Sequence, residues 1–236
     1  MFRHQGKTRK YSHNLKIAIL LSAVAGMVNV IGFLSIGRLT TNVTGHFAFL
    51  VDEVFKFEFQ KSLIFLYYIL AFLIGSFVSS ILVEYYQKKN ERKIFIVPVL
   101  LETLVLLSVT FLNYNYVINH IDTIALLLLF AMGLQNSLVT KISNSLVRTT
   151  HLTGLFTDLG IELSQLFFYK ELDDRNVLKR NIKLRLSIIS GFFFGGFVAG
   201  TMYSEFALYS LYAPSALLLY GLYYDFIKFK IKKWQH

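Results

Sequence analysis

Residues 15–37 read LKIAILLSAVAGMVNVIGFLSIG, and this stretch decides the class of fold. Its only charged residue is Lys16, and its length exceeds the roughly 20 apolar residues that a helix needs to cross the hydrocarbon core of a bilayer. Continuous apolar runs of this length indicate membrane helices rather than buried strands. Further apolar segments follow, and we predict six transmembrane helices at 15–37, 62–83, 94–112, 123–142, 184–203 and 207–226.

The composition of the whole chain favours a membrane protein over a soluble one. Hydrophobic residues make up 55% of the 236 residues and charged residues only 16%, whereas soluble domains have about 25% charged residues. The net charge of +10 could indicate nucleic-acid binding, but Lys and Arg lie in short segments between apolar runs rather than on one face of a folded domain. We therefore predict contact with the lipid bilayer and none with nucleic acid.

The distribution of Lys and Arg predicts the orientation in the membrane, because short basic loops stay in the cytoplasm. With six spans, 21 of the 24 Lys and Arg residues fall on one side, in 1–16, 88–93, 141–185 and 228–233. The other side holds Arg38, Lys56 and Lys61. Both termini should therefore be cytoplasmic. The basic start and the Ala-Val-Ala at 23–25 also resemble a signal peptide, but the apolar run continues beyond it, which favours a retained helix.

An eight-residue motif occurs twice. TTNVTGHF at 40–47 returns as TTHLTGLF at 149–156, with five of the eight positions identical. Two more pairs follow the same order, namely GMVN at 26–29 with GLQN at 133–136, and FLIGSFV at 72–78 with FFFGGFV at 192–198. We predict two copies of a three-helix unit in a single membrane domain, 1–236, with repeats at about 15–113 and 123–226 and basic tails at 1–16 and 227–236.

Three crossings in each copy have a consequence for topology. Because three is an odd number, the second copy would enter the membrane from the opposite side, as in the inverted repeats of many secondary transporters. The predicted fold is therefore an all-α integral membrane protein with six helices in two inverted-topology repeats. The alternative is a duplication retained only for packing.

Each copy of the Thr-Thr-x-x-Thr-Gly element precedes a stretch that is too short or too charged to span, at 47–57 and 155–169. We predict short re-entrant or interfacial helices there, whose free N–H groups would face an anion or polar ligand. The alternative is a pair of capped turns whose Arg residues face lipid phosphates. The candidate ligand contacts are Arg38, Thr41, Asn42, Thr44, Gly45, Arg148, Thr149, Thr150, His151, Thr153, Gly154 and Asp158.

Polar residues inside a predicted span are costly and therefore informative. Asn29 lies midway along the first span, and Gln135 and Asn136 lie midway along the fourth. These amides could line a shared cavity, or they could make interhelical hydrogen bonds. Glu102 lies near the centre of the third span and could carry a coupling proton. It could equally be a neutral, hydrogen-bonded acid or the partner of an Arg.

No sequence motif indicates a soluble enzyme, because the chain has no P-loop, no dinucleotide fingerprint and no zinc-protease motif. The chain has no cysteine, which excludes disulfides and thiolate metal sites. We expect no enzymatic activity, no cofactor and no metal. Small residues spaced four apart, such as Gly75 with Ser79 and Gly191 with Gly195, predict close helix packing.

The chain resembles the YoaK family of bacterial inner-membrane proteins, also called the DUF1275 family. The resemblance rests on AGMVNVIGF at 25–33, NVTGH at 42–46, GLQN at 133–136, and VRTTHLTG at 147–154 with TDLG at 157–160. It implies a multi-pass protein of the bacterial inner membrane. The family usually has Asp where this chain has Asn29, and often Asn where it has His46. Since an Asn does not titrate, no proton role is expected at position 29.

We favour the first of three classes of function, and the second is the main alternative to it. The first is a transporter or permease of a small polar or anionic solute, which could work as a homodimer and would rock one repeat against the other. The second is a membrane scaffold or regulator that binds a partner or anionic lipid through the basic loop 170–185. The third is an intramembrane enzyme acting on lipid.

Overall fold

The computed structural model describes residues 11–89, 94–112, 114–169 and 171–234, with side chains described up to Phe226 apart from Tyr114. The predicted basic tails and the basic loop 88–93 are therefore described only in part, and the rest lies outside these residues. Within them the chain is helical and contains no strand, which confirms the all-α class. The helices are α1 (Tyr11–Ile36), α2 (Val43–Phe55), α3 (Phe59–Lys88), α4 (Ile96–Thr110), α5 (Tyr114–Asn119), α6 (Ile121–Ser143), α7 (Leu152–Phe168), α8 (Leu172–Phe206) and α9 (Tyr212–Trp234).

Four helical runs of the described residues are long and apolar enough to cross a membrane. They are Tyr11–Ile36, Phe59–Lys88, Ile121–Ser143 and Leu172–Phe226. The last run joins α8 to α9 through a short 3₁₀ helix at Ala207–Leu211. α4 is apolar but has only 15 residues, which corresponds to about 22 Å. The predicted short helices after the first and fourth spans are present as α2 and α7.

The basic segment 170–185 is not a loop in its described part, and this prediction was wrong. α8 begins at Leu172, and Asp173 and Asp174 occupy its first turn, where carboxylates interact favourably with the helix dipole. Leu178 and Ile182 are buried one turn apart and anchor this charged first part of the helix. The exposed basic residues therefore lie on a helix that continues directly into the apolar part of α8.

Two helix pairs form the centre of the molecule, α1 with α8 and α3 with α6. Glycines allow the backbones to approach closely in both pairs. A Cβ added to Gly26 on α1 would overlap the carbonyl of Phe192 on α8, and one added to Gly133 on α6 would overlap the carbonyl of Phe72 on α3. The facing helix of each pair contributes a glycine in the same way. A Cβ added to Gly195 on α8 would overlap the carbonyl of Ala23 on α1, and one added to Gly75 on α3 would overlap the carbonyl of Phe130 on α6. Gly75 and Gly195 therefore lie at close helix contacts, as their spacing predicts.

Both central pairs are parallel. Along α1 and α8, the Tyr11 hydroxyl donates to the Arg180 carbonyl at one end, and Gly200 approaches Val30 at the other. Along α3 and α6, Tyr68 hydrogen-bonds Asp122 at the first end, and Glu84 pairs with Lys141 at the second. α9 runs antiparallel to α1. The end of α8, from which the 3₁₀ helix leads into α9, lies beside Val30 in the second half of α1, and Lys16 near the start of α1 donates to the hydroxyl of Tyr224 near the end of the described side chains of α9.

Candidate functional site

A cavity of about 1310 Å³ lies between α1, α6 and the first turns of α2 and α7. Its walls also include Phe72 on α3, and Arg185 and Phe192 on α8. Most of the predicted contact residues line it. These are Asn29, Thr41, Asn42, Thr44, Gly45, Asn136, Arg148, Thr150, His151, Thr153, Gly154 and Asp158.

The first wall of the cavity is the start of α2. Asn42 has an extended backbone and caps the helix, since its Oδ1 accepts a hydrogen bond from the Gly45 N–H at 3.0 Å. The imidazole Nε2 of His46 lies 2.7 Å from the Leu39 carbonyl and ties the first turn to the preceding loop. A helix start has four N–H groups without partners in the helix, and Asn42 satisfies one of them.

The second wall is the start of α7, which is built on the same plan but capped differently. His151 occupies the N-cap position and makes no side-chain capping hydrogen bond with any described residue. A Cβ added to Gly154 would overlap the His151 ring, so glycine makes room for the imidazole over the first turn. The N–H groups of this turn therefore remain available to a ligand in the cavity.

Two Asn–Thr hydrogen bonds hold the loops before α2 and α7 against the central helices. The Thr41 hydroxyl donates to Oδ1 of Asn29 at 2.8 Å, and Nδ2 of Asn136 donates to the Thr150 hydroxyl at 2.5 Å. Each amide thus lines the cavity and also fixes the position of a loop. The two bonds occupy matching positions of the repeated motifs.

Three of the predicted contact residues do not line the cavity. The Gln135 side chain is fully buried, and its Nε2 donates to the Leu21 carbonyl on α1 at 2.9 Å and to the Thr149 hydroxyl at 3.2 Å. Thr149 is buried with it. For Gln135 the alternative prediction of an interhelical hydrogen bond is therefore the correct one. Arg38 lies elsewhere, 5.9 Å from the Phe65 ring and beside the hydroxyl of Tyr68.

The cavity contains one Arg that is exposed and another that is held by carboxylates. Arg148 makes no ion pair with a described residue, and it also borders a neighbouring cavity of about 390 Å³. Arg185 pairs with Asp158 at 3.0 Å and forms a bidentate pair with Glu162 at 2.7 and 2.8 Å. Sequence reasoning missed Arg185. The signal was present, since carboxylates four positions apart on one helix face are well placed for a guanidinium on the next helix.

Glu102, the predicted proton carrier, is not part of the cavity lining. It is fully buried on α4, and neither of its carboxyl oxygens has a hydrogen-bond partner among the described residues. α4 packs against α6 and α9. A buried carboxyl without a partner is costly, which marks Glu102 as functionally informative without connecting it to the cavity. Across the described ranges, no three His, Asp and Glu side chains come together in a way that could hold a metal ion.

Long apolar helices, a large buried interface between parallel helix pairs and a polar cavity at their centre define a multi-pass membrane protein. The comparisons with known proteins agree with this class. A family model described as "Protein of unknown function (DUF1275)" matches residues 17–224, so the chain belongs to this family. The predicted resemblance is thereby confirmed.

A relative within the curated proteins is the "UPF0700 transmembrane protein YoaK" of Bacillus subtilis (strain 168). This chain is 23% identical to it over 204 residues, which cover 86% of this chain and 89% of the relative. No solved structure matches the chain.

Proposed function

We propose that this protein is an inverted-repeat transporter or permease for a small anion. The observation that carries the proposal is the convergence of two helix N-termini and an exposed Arg on one cavity. The first turns of α2 and α7 both line it, and Arg148 lies beside them. In known inverted-repeat transporters, helices that begin near the middle of the membrane point their N-termini at the anionic group of the substrate.

The directions of the helices support six crossings. α1 is parallel to α8 and α3 is parallel to α6. If only α1, α3, α6 and the α8–α9 run crossed the membrane in turn, α3 and α6 would be antiparallel. An additional crossing by α4 reconciles the order along the chain with the parallel pairs. α9 then returns across the membrane, as its antiparallel contact with α1 requires.

The reciprocal contacts of the two halves support the inverted repeat. α1 of the first half packs on α8 of the second, and α6 of the second half packs on α3 of the first. The closest approaches use matching residues, since Gly26 corresponds to Gly133 and Phe192 corresponds to Phe72. The matching Asn–Thr bonds of Asn29 and Asn136 add a second pair of equivalent contacts. Such reciprocity is expected when a pseudo-two-fold axis relates the halves.

The charges favour a monovalent anion as the solute. The cavity lining contains Arg148, Arg185 and Asp158, and Glu162 pairs with Arg185 from just outside the lining, so the formal charges of these four residues cancel. Arg185 forms ion pairs with both Asp158 and Glu162, whereas Arg148 forms none with a described residue. Arg148 is therefore the cation that would attract the ligand. The partial positive charges of the two helix N-termini act in the same direction. We place both termini in the cytoplasm and the protein in the bacterial inner membrane, with Glu102 as the coupling-proton candidate and a homodimer as the assembly.

Thermal unfolding in detergent with a panel of small anions tests the proposal. We expect at least one monovalent anion, among nitrate, formate, acetate and bicarbonate, to raise the melting temperature, because a ligand that binds only the folded state stabilises it. Arg148→Gln should lose about tenfold or more in affinity, since a hydrogen bond to a charged group contributes about 1.5–3 kcal/mol. Arg175→Gln is the matched control, because Arg175 lies on α8 outside the cavity lining.

Flux in proteoliposomes then separates a transporter from a binding protein. The wild type should move the stabilising anion across the membrane, and Arg148→Gln should not. The proposal fails if no anion shifts the melting temperature, or if Arg148→Gln responds like the wild type. Binding without flux would instead favour a scaffold or regulator, the second function that the exposed basic residues at the start of α8 support.

A further inference from the structure

A second concave site lies outside the central cavity, where α1 and α8 meet beside α7. It has a volume of about 710 Å³, and its walls are almost entirely apolar. Leu186, Phe194 and Val198 of α8 form one side, and Ile19 and Met27 of α1 form the other. The side chains of Leu186, Phe194 and Val198 are all exposed, so the groove opens to the surroundings of the helices rather than to the interior.

The floor of the groove consists of small residues. Ser187, Ser190, Gly191 and Gly195 lie along one face of α8, and Ala23 lies opposite them on α1. Gly191 and Gly195 contact Ser22 and Ala23 of α1 closely, and this contact forms the bottom of a channel whose sides are the larger side chains of the two helices. Such a channel fits a linear apolar chain better than a compact solute.

Two lysines lie at one end of this groove. Lys179 and Lys183 are one helical turn apart on α8, both are exposed, and neither makes an ion pair with a described residue. They lie at the end of the molecule where Tyr11 contacts Arg180, at the polar beginning of α8. The groove therefore has a positively charged end and an apolar body.

The dimensions match one leaflet of a bilayer. From Lys183 to Phe194 the helix rises about 16 Å, and half of the hydrocarbon core measures about 15 Å. A lipid whose phosphate lies at the lysines would thus have its acyl chain along the small-residue floor. Lysines near the end of a membrane helix extend toward the headgroup region, where anionic lipids attract them.

We propose that this groove binds one anionic glycerophospholipid, with its headgroup phosphate at Lys179 and Lys183 and an acyl chain along Ser187, Gly191 and Gly195. The site is independent of the transport proposal, since no residue of the central cavity forms it. Charge complementarity together with the length of the groove selects this ligand over a second copy of the chain, which would bring a second pair of lysines close to the first.

Native mass spectrometry of the delipidated full chain in detergent tests the proposal, with dioleoylphosphatidylglycerol as the probe. We expect one tightly bound lipid for each chain. Lys179→Gln with Lys183→Gln should weaken binding roughly 30-fold, since each Lys near an anionic surface contributes a factor of about five. The double variant should then bind phosphatidylglycerol no better than it binds dioleoylphosphatidylcholine.

Two further variants make the test specific. Lys88→Gln with Arg175→Gln removes two exposed charges outside the groove lining and should leave lipid binding unchanged. Ser190→Leu fills the floor at an exposed position and should weaken binding of both lipids while the lysines remain. Retention of helical circular dichroism and a single peak in size exclusion show that each variant is folded.

The proposal is overturned if the Lys88 and Arg175 control loses as much affinity as the groove variant, because the attraction would then be general to the surface. It is also overturned if Ser190→Leu binds phosphatidylglycerol normally, or if inorganic phosphate alone displaces the lipid. A failure of anion transport would leave these results unaffected, so the two proposals are tested separately.

Discussion

The two short helices that enter the cavity are anchored in different ways, although the chain builds them on the same plan. α2 packs on α3 through His46, Phe49, Phe65 and Tyr68, whose ring centroids lie 5.0–6.2 Å apart. We call this cluster the aromatic junction. α7 packs on α8 through Asp158, Glu162 and Arg185, which we call the ionic junction.

The difference teaches that two copies of one sequence motif can begin short helices whose other side chains make different contacts. Aromatic packing is insensitive to ionic conditions and holds α2 in one arrangement. Ion pairs depend on neighbouring charge, and the ionic junction lies at the cavity wall, where Arg185 and Asp158 are both exposed to a ligand. Under the proposed function, we therefore expect the α2 half to be the fixed part and the α7 half to respond to the solute.

The largest effect should come from the contacts that the two halves share. Gly26→Leu and Gly133→Leu would each force a side chain into a backbone carbonyl of the facing helix. We expect each to cost about 3 kcal/mol in free energy of unfolding, near the upper range for overpacking, and the two costs should be similar. Equilibrium unfolding in mixed detergent micelles measures both, with Gly160→Ala as control, since no atom lies near its added Cβ. A large difference between Gly26→Leu and Gly133→Leu would contradict equivalent halves.

A second effect should separate the junctions. Arg185→Gln leaves Asp158 and the nearly buried Glu162 without their partner, which should cost about 2–3 kcal/mol at this partly exposed site. The triple variant Asp158→Asn, Glu162→Gln and Arg185→Gln should recover most of that loss, because no charge is left unpaired. Thermal unfolding at low and high salt checks this result. If the triple variant is as unstable as Arg185→Gln, the charges are not what anchors α7.

The smallest effect concerns the two caps. Asn42→Ala removes a capping hydrogen bond and should cost about 1 kcal/mol. His151→Ala removes a side chain that makes no capping bond with any described residue, and it should cost less than about 0.5 kcal/mol. Hydrogen exchange of the first-turn amides of α2 and α7 measures the two effects separately. Equal protection loss in both helices would mean that the α7 start is capped like that of α2.

Much of this arrangement could be predicted from the sequence. The apolar runs predicted α1, α3 and α6, and the repeated Thr-Gly element marked the starts of α2 and α7, whose first turns line the cavity. The close packing at Gly75 and Gly195 followed from spacing, since small residues four apart are the common means of close helix packing. Gly26 and Gly133 were visible in the sequence only as matching positions of the repeat.

Side-chain direction is what the sequence did not reveal. Gln135 and Asn136 are neighbours, but successive residues of a helix point about 100° apart, so Asn136 faces the cavity and Gln135 faces α1. Arg148 directly precedes its Thr-Thr pair and lines the cavity, whereas Arg38 is one residue further away and points toward Tyr68. The ionic junction joins residues from two helices, and such pairs require the tertiary structure.

The orientation of the two halves can be measured directly, because the chain contains no cysteine and single cysteines can be introduced without background. Lys88→Cys and Arg175→Cys mark the end of α3 and the start of α8. Lys56→Cys lies just before α3 and Glu205→Cys at the end of α8, so both should lie on the opposite face of the membrane. With a membrane-impermeant maleimide on intact cells and on inverted vesicles, we predict that the first two label only in inverted vesicles and the last two only in intact cells. Labelling of Lys88→Cys and Arg175→Cys from opposite faces would contradict the inverted repeat.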